Sequence, residues 1–89
     1  MPKTEVVIIN KLGLHARASA KLAQLANDFV SEVWLERGER RVSAKSVMGL
    51  MMLAATQGTT LTIETEGKDA DKAMACILEL ITNRFGEEE

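Results

Sequence analysis

A single histidine, His15, stands in the segment Gly13-Leu14-His15-Ala16-Arg17-Ala18-Ser19, where a loop gives way to a helical pattern. That places it about where an N-cap would sit. A helix N-terminus presents amides without intrahelical acceptors and carries a partial positive charge. Together these make a ready anion site. Arg17 in the first turn adds a guanidinium fork suited to phosphate oxygens, and the backbone amide of Ala16 adds a further donor. Ser19 either contributes a hydroxyl or faces solvent. Because the helix end disfavours a cation, the ring is expected to stay neutral, with a lone pair available as a nucleophile. The chemistry this predicts is a histidine that accepts a phosphoryl group, with helix amides and Arg17 stabilising the added charge. By spacing alone, however, a lone histidine at a loop end is more often a surface residue or an indifferent cap. No second histidine exists and Cys76 lies far along the last helix, so no metal site is expected. With no nearby carboxylate expected, no triad is expected either.

The elements that must position this segment follow from the hydrophobic pattern. Glu5-Val6-Val7-Ile8-Ile9 is β-branched and short and predicts a well-buried first strand, ended by Asn10-Lys11-Leu12-Gly13. From Ala16 the period becomes 3.6, with Leu22, Leu25, Ala26 and Phe29 on one face and an end near Asn27-Asp28. Ser31 to Glu36 alternates as a second strand, with Val33 and Leu35 on one side and Trp34 on the other. Glu36-Arg37-Gly38-Glu39 is a turn signal, and Arg40-Arg41-Val42 a short third strand. Ser46 precedes a short helix through Val47-Met48-Gly49-Leu50-Met51-Met52-Leu53, weakened by Gly49. Thr59 to Thr65 alternates cleanly, Leu61 and Ile63 inward, Thr62 and Glu64 outward. A last helix is expected over Ala70 to Phe85, with Asp69 as N-cap, Gly86 as C′ stop and a stripe of Ala73, Ile77, Leu80 and Ile81. The order β-α-β-β-α-β-α predicts an α+β open-faced sandwich. Its four-stranded, mainly antiparallel sheet is covered on one face by three helices and solvated on the other.

Length and composition bound what such a site can be. Eighty-nine residues allow one domain, residues 1–89. A chain that is 46% hydrophobic and 27% charged is neither disordered nor a low-complexity linker. Eleven Lys+Arg against thirteen Asp+Glu give no basic footprint, and three aromatics give no stacking platform, so no nucleic-acid partner is expected. No run of about 18 apolar residues offers a membrane span, and the N-terminal residues lack a signal peptide's plan. One cysteine excludes an internal disulfide and a CxxC pair, which fits a reduced, cytoplasmic setting. Cys76 is expected to be buried without a task, and no role is assigned to the acidic tail Glu87-Glu88-Glu89. No cofactor is expected.

The segment Gly13 to Ser19 closely resembles the active-site signature of the HPr/NPr family, the histidine-containing phosphocarriers of the bacterial phosphoenolpyruvate-dependent phosphotransferase system. Lys45-Ser46-Val47-Met48-Gly49-Leu50-Met51 is similar to that family's regulatory-serine region. The resemblance spans the chain in length, element order and motif spacing. It implies a stoichiometric carrier, not an enzyme, that takes a phosphoryl group on His15 Nδ1 from enzyme I and passes it to enzyme IIA components for sugar uptake. Ser46 reads both as an N-cap and, by resemblance, as the target of an HPr kinase/phosphorylase. Met48 and Met51 resemble the family's partner-contact positions, with Arg17 and Gln57 as polar rim. A monomer is expected. Many family members carry proline where Ala18 stands, which bears on the rigidity of the helix start and not on phosphorylation. The alternatives are an NPr-type carrier of the nitrogen-regulatory branch and a non-catalytic α+β interaction module.

Overall fold

The computed structural model describes residues 2–89. Among these, the β-branched and alternating runs form four strands: β1 (Lys3–Val7), β2 (Glu32–Arg37), β3 (Arg40–Ser43) and β4 (Thr60–Glu66). The 3.6-period segments form α1 (Ala16–Ala26), α2 (Val47–Met52) and α3 (Ala70–Thr82), and a 3-10 turn follows at Arg84–Gly86. The strands lie in the order β1-β4-β2-β3, every neighbouring pair antiparallel. Register sets Val6 opposite Leu61 and Leu35 opposite Ile63, so their side chains share the covered face. The fold is the open-faced α+β sandwich that the sequence pattern predicts.

The core is the layer between that face and the helices. Ile8, Leu22, Val33, Leu35, Leu50, Leu53, Leu61, Ile63, Ile77, Ile81 and Phe85 are fully buried in it. Each such side chain contributes about 1.5–3 kcal/mol by leaving water. On the open face, Arg41 lies 4.9 Å over the Trp34 ring and pairs with Glu64 at 2.7 Å and with Glu36. The Arg41 guanidinium holds the Glu64 carboxyl below the usual carboxylate range.

Several boundaries and burials differ from expectation. The first strand begins at Lys3 and is not well buried: it is a sheet edge, and Val7 and Ile9 point to the open side. Its pairing continues irregularly, with Ile8 N–H donating to the Thr59 carbonyl and Gly58 N–H to the Ile8 carbonyl. Leu25, Phe29 and Leu80 are only half-buried, because Ala18, Ser19, Ala23 and Met74 share the inner faces of their helices. Cys76 is half-buried too.

Asp69 occupies the N-cap position of α3 without a side-chain cap bond. Its carboxylate instead accepts from the Val30 and Ser31 amides at 3.1 and 2.9 Å and from the Ser31 hydroxyl. α3 ends at Thr82, short of Phe85, because Arg84 and Phe85 turn left-handed with φ of 56° and 55°. Gly86 follows at φ 79°, closing the 3-10 turn and not the helix. The turn drives Phe85 into the core and sends the last residues back towards α1. Gly49, unfavourable for a helix, sits close to its neighbours: a Cβ there would stand 3.3 Å from both the Ser46 Oγ and the Val42 Cβ. Among the described residues, no helix is long and apolar enough to cross a membrane.

Candidate functional site

The loop from β1 to α1 is pinned at three points. Asn10 is fully buried, and its Nδ2 donates to the Gly13 carbonyl at 2.8 Å. The Gly13 amide returns a bond to the Asn10 carbonyl, and the Leu14 amide donates to the Ala55 carbonyl. Gly13 has φ 69°, and a Cβ on it would lie 2.5 Å from the Ala55 carbonyl oxygen. Only glycine fits this approach. The loop therefore delivers His15 to the N-cap of α1 in an extended conformation, with no side-chain cap bond.

The first backbone bond of α1 runs from the Ser19 amide to the His15 carbonyl at 2.8 Å. The amides of Ala16, Arg17 and Ala18 thus precede the helical ladder, as the anion-site reading requires. Arg17 is exposed and makes no polar contact with another side chain among the described residues. Ser19 takes neither expected role: it is fully buried, and its hydroxyl donates to the Leu14 carbonyl at 3.2 Å.

The acidic tail enters the site, which local sequence did not reveal. The side chain of His15 is 28% exposed, and its Nε2 lies 2.5 Å from Oε2 of Glu87, itself 18% exposed. The other carboxylate oxygen, Oε1, accepts from Asn10 Nδ2 at 3.0 Å. Bonds from Asn10 and then His15 hold the Glu87 carboxyl below the usual range. The expectation of no nearby carboxylate is thereby corrected: the acidic tail, which was given no role, supplies one. The contact spans 72 residues of chain, and no local pattern encodes it. The arrangement is a carboxylate–imidazole pair without a hydroxyl nucleophile, since Ser19 points into the core. An open cleft over it is lined by Lys11, Leu12, His15 and Arg17 on one side and by Glu87, Glu88 and Glu89 on the other. Among the described residues, no three His, Cys, Asp or Glu side chains gather as a metal site.

The remaining sequence-predicted residues lie on α2, at its N-cap and in the segment that follows it. α1 packs against α2, whose Met48, Met51 and Met52 are 75%, 45% and 66% exposed. The Ser46 hydroxyl accepts from the Gly49 amide at 3.0 Å and caps α2. The other end of α2 is closed by arginines: Arg40 donates to the Met52 carbonyl and Arg37 to those of Leu53 and Ala54. Gln57 is exposed and donates to the Ile9 carbonyl at 3.1 Å, beside the loop that leads to His15.

The family described as "PTS HPr component phosphorylation site" matches residues 2–83. The phosphocarrier protein HPr of Cupriavidus necator is 61% identical over 89 residues, covering all of both chains. The phosphocarrier protein NPr of Shewanella violacea is 48% identical over 83 residues, 93% of this chain and 91% of its own. Among solved structures, HPr-C-His from Thermoanaerobacter tengcongensis superposes with a TM-score of 0.96 at 40% identity, covering 100% of both chains. A structure described as the HPr dimer of that organism also matches, with a TM-score of 0.79 at 40% identity over 98% of this chain and 100% of the other. Motif, fold and relatives agree over the whole described chain: the protein belongs to the HPr family of phosphocarrier proteins of the phosphotransferase system.

Proposed function

We propose that this chain, acting as one domain over residues 1–89 in the cytoplasm, carries phosphoryl groups on His15 in the sugar branch of the phosphotransferase system. Phospho-enzyme I charges it, and enzyme IIA components discharge it. One observation carries this reading. A part-exposed imidazole stands at a helix N-terminus beside the amides of Ala16, Arg17 and Ala18, and Arg17, unpaired among the described residues, lines the same cleft.

The magnitudes favour a relay over a catalyst. Charge-assisted hydrogen bonds contribute roughly 1.5–3 kcal/mol each, and a helix terminus about 0.3–1 kcal/mol. Enzymes lower barriers by some 8–23 kcal/mol. An open cleft with one histidine and one arginine falls short of that, so the partner must complete the transition state, mainly by positioning. Docking to successive partners would use the exposed Met48 and Met51 of α2, whose flexible thioethers repack readily, with Arg17 and Gln57 as the polar rim. Ser46 would serve as a second, regulatory phosphorylation site for an HPr kinase/phosphorylase.

Incubation with enzyme I, Mg²⁺ and phosphoenolpyruvate should give an acid-labile, base-stable adduct by intact mass. The adduct should vanish in His15→Ala; one that persists there, or its absence from the wild type, refutes the carrier reading. The sugar branch is favoured over the nitrogen-regulatory branch because identity to HPr relatives reaches 61%, against 48% to the NPr relative. Faster charging by a nitrogen-branch enzyme I than by its sugar-branch homologue would reverse that choice.

A further inference from the structure

We propose that Glu87 is a positioning residue for His15: its carboxylate takes the proton on Nε2 as a hydrogen bond and fixes the ring in the tautomer whose Nδ1 lone pair is free. The inference rests on His15 being the phosphoryl acceptor, and it assigns the tail a part in the reaction that lies beyond the residues the family match covers, which end at 83.

The donor and acceptor inventory leaves little freedom. A neutral imidazole has one N–H and one lone pair, and an ionised carboxylate only accepts. The nitrogen 2.5 Å from Glu87 Oε2 must therefore carry the proton, so Nδ1 is left as the acceptor atom. Glu87 is itself held. Its Oε1 accepts from Asn10 Nδ2, and the second Nδ2 hydrogen goes to the Gly13 carbonyl. Turning the Asn10 amide over would set its oxygen against a carboxylate and a carbonyl, so its orientation is fixed. Among the described residues the Asn10 Oδ1 meanwhile has no partner, though fully buried. A buried acceptor left unsatisfied is costly, and here the amide is spent on donating twice towards the site.

The backbone is bent to the same end. Arg84, Phe85 and Gly86 are successively left-handed, a costly conformation for the first two. Burial of Phe85 holds the bend, as does Lys21, whose Nζ donates to the Phe85 carbonyl at 2.7 Å. The bend returns Glu87 to the N-terminus of α1. Strain retained at such a place is a pointer to function.

The test is a substitution that keeps the shape and reverses the polarity. In Glu87→Gln, Asn10 still donates to Oε1, so the new side chain turns its NH₂ towards His15. That donor requires a lone pair on Nε2 and moves the proton to Nδ1. ¹⁵N–¹H NMR of labelled histidine in the uncharged protein should show the Nε2–H tautomer in wild type and the Nδ1–H tautomer in Glu87→Gln. Glu87→Ala should show a mixture. Charging by enzyme I should slow by about ten- to hundred-fold in Glu87→Gln, taking the outer-shell partners of metal-bound histidines as the guide. The thermal midpoint should fall modestly, because Asn10 loses an ionised acceptor, with the protein still folded at the assay temperature. The same tautomer in all three proteins overturns the proposal, and so does an inverted tautomer with undiminished charging. The NMR readout needs no enzyme I, so failure of the carrier reading itself shows separately, as a wild type that takes no phosphoryl group.

Discussion

Two residues near His15 differ in what their replacement would do, and the difference follows from their surroundings. Arg17 is exposed and unpaired among the described residues, so the fold does not depend on it. Removing its guanidinium takes one charge-assisted contact from the transferring phosphoryl group, worth roughly 1.5–3 kcal/mol. Arg17→Ala should therefore unfold at the wild-type temperature yet transfer about ten- to hundred-fold more slowly; an undiminished rate removes Arg17 from the site. Gly13 is the reverse case. An alanine there must hold φ near 69° and set its Cβ 2.5 Å from the Ala55 carbonyl oxygen. Gly38 has a similar φ of 59°, with nothing within 4 Å of a Cβ. Gly38→Ala should cost only the left-handed penalty of about 1–2 kcal/mol. Gly13→Ala should cost that and the clash, and each kcal/mol lowers the midpoint by roughly 4–8 °C in a domain of this size. Equal midpoints for the two variants would show that the loop yields without strain.

At the scale of elements, α2 tests whether a cap and a switch share one residue. Ser46 caps this six-residue helix through the Gly49 amide, so Ser46→Ala should lose about 0.5–2 kcal/mol of stability. Ser46→Asp keeps an acceptor at the cap and adds charge beside the exposed Met48, as a phosphate of about −1.5 to −2 would. It should melt near wild type but be charged more slowly by enzyme I, whereas Ser46→Ala should charge normally; equal rates for all three would leave the cap as the only role. The N-cap positions of Ser46 and His15 were readable because each sits at a junction where local pattern changes. The strand β4 was readable because Leu61 and Ile63 alternate with Thr62 and Glu64. The end of α3 was not, since left-handed turning at Arg84 and Phe85 contradicts their own preferences and is enforced by burial of the ring. The partners of Asp69 and Glu87 were hidden for a related reason: their carboxylates act on residues 38 and 72 positions away.

Across the whole molecule, three carboxylates fasten parts that the core alone does not hold. Asp69 ties the start of α3 to the loop before β2, Glu64 ties β4 to Arg41 on the edge strand β3, and Glu87 ties the tail to the site. Each carboxyl lies below its usual range: Asp69 through the Ser31 hydroxyl, Glu64 through Arg41, and Glu87 through Asn10 and then His15. A carboxyl lowered on folding binds fewer protons in the native state than in the unfolded one. Its contribution is fully present above the unfolded value, about pH 4, and is lost as pH falls through the lower folded value. Thermal midpoints should thus be level from pH 7 to about pH 5 and drop steeply below about pH 4. Asp69→Asn should be less stable than wild type at pH 7, because the Val30 and Ser31 amides lose an ionised acceptor, and should fall less between pH 5 and pH 3. Parallel acid limbs for the two proteins would place the proton uptake elsewhere. The limb would then be expected to flatten in Glu64→Gln, where the open face loses its ion pair to Arg41.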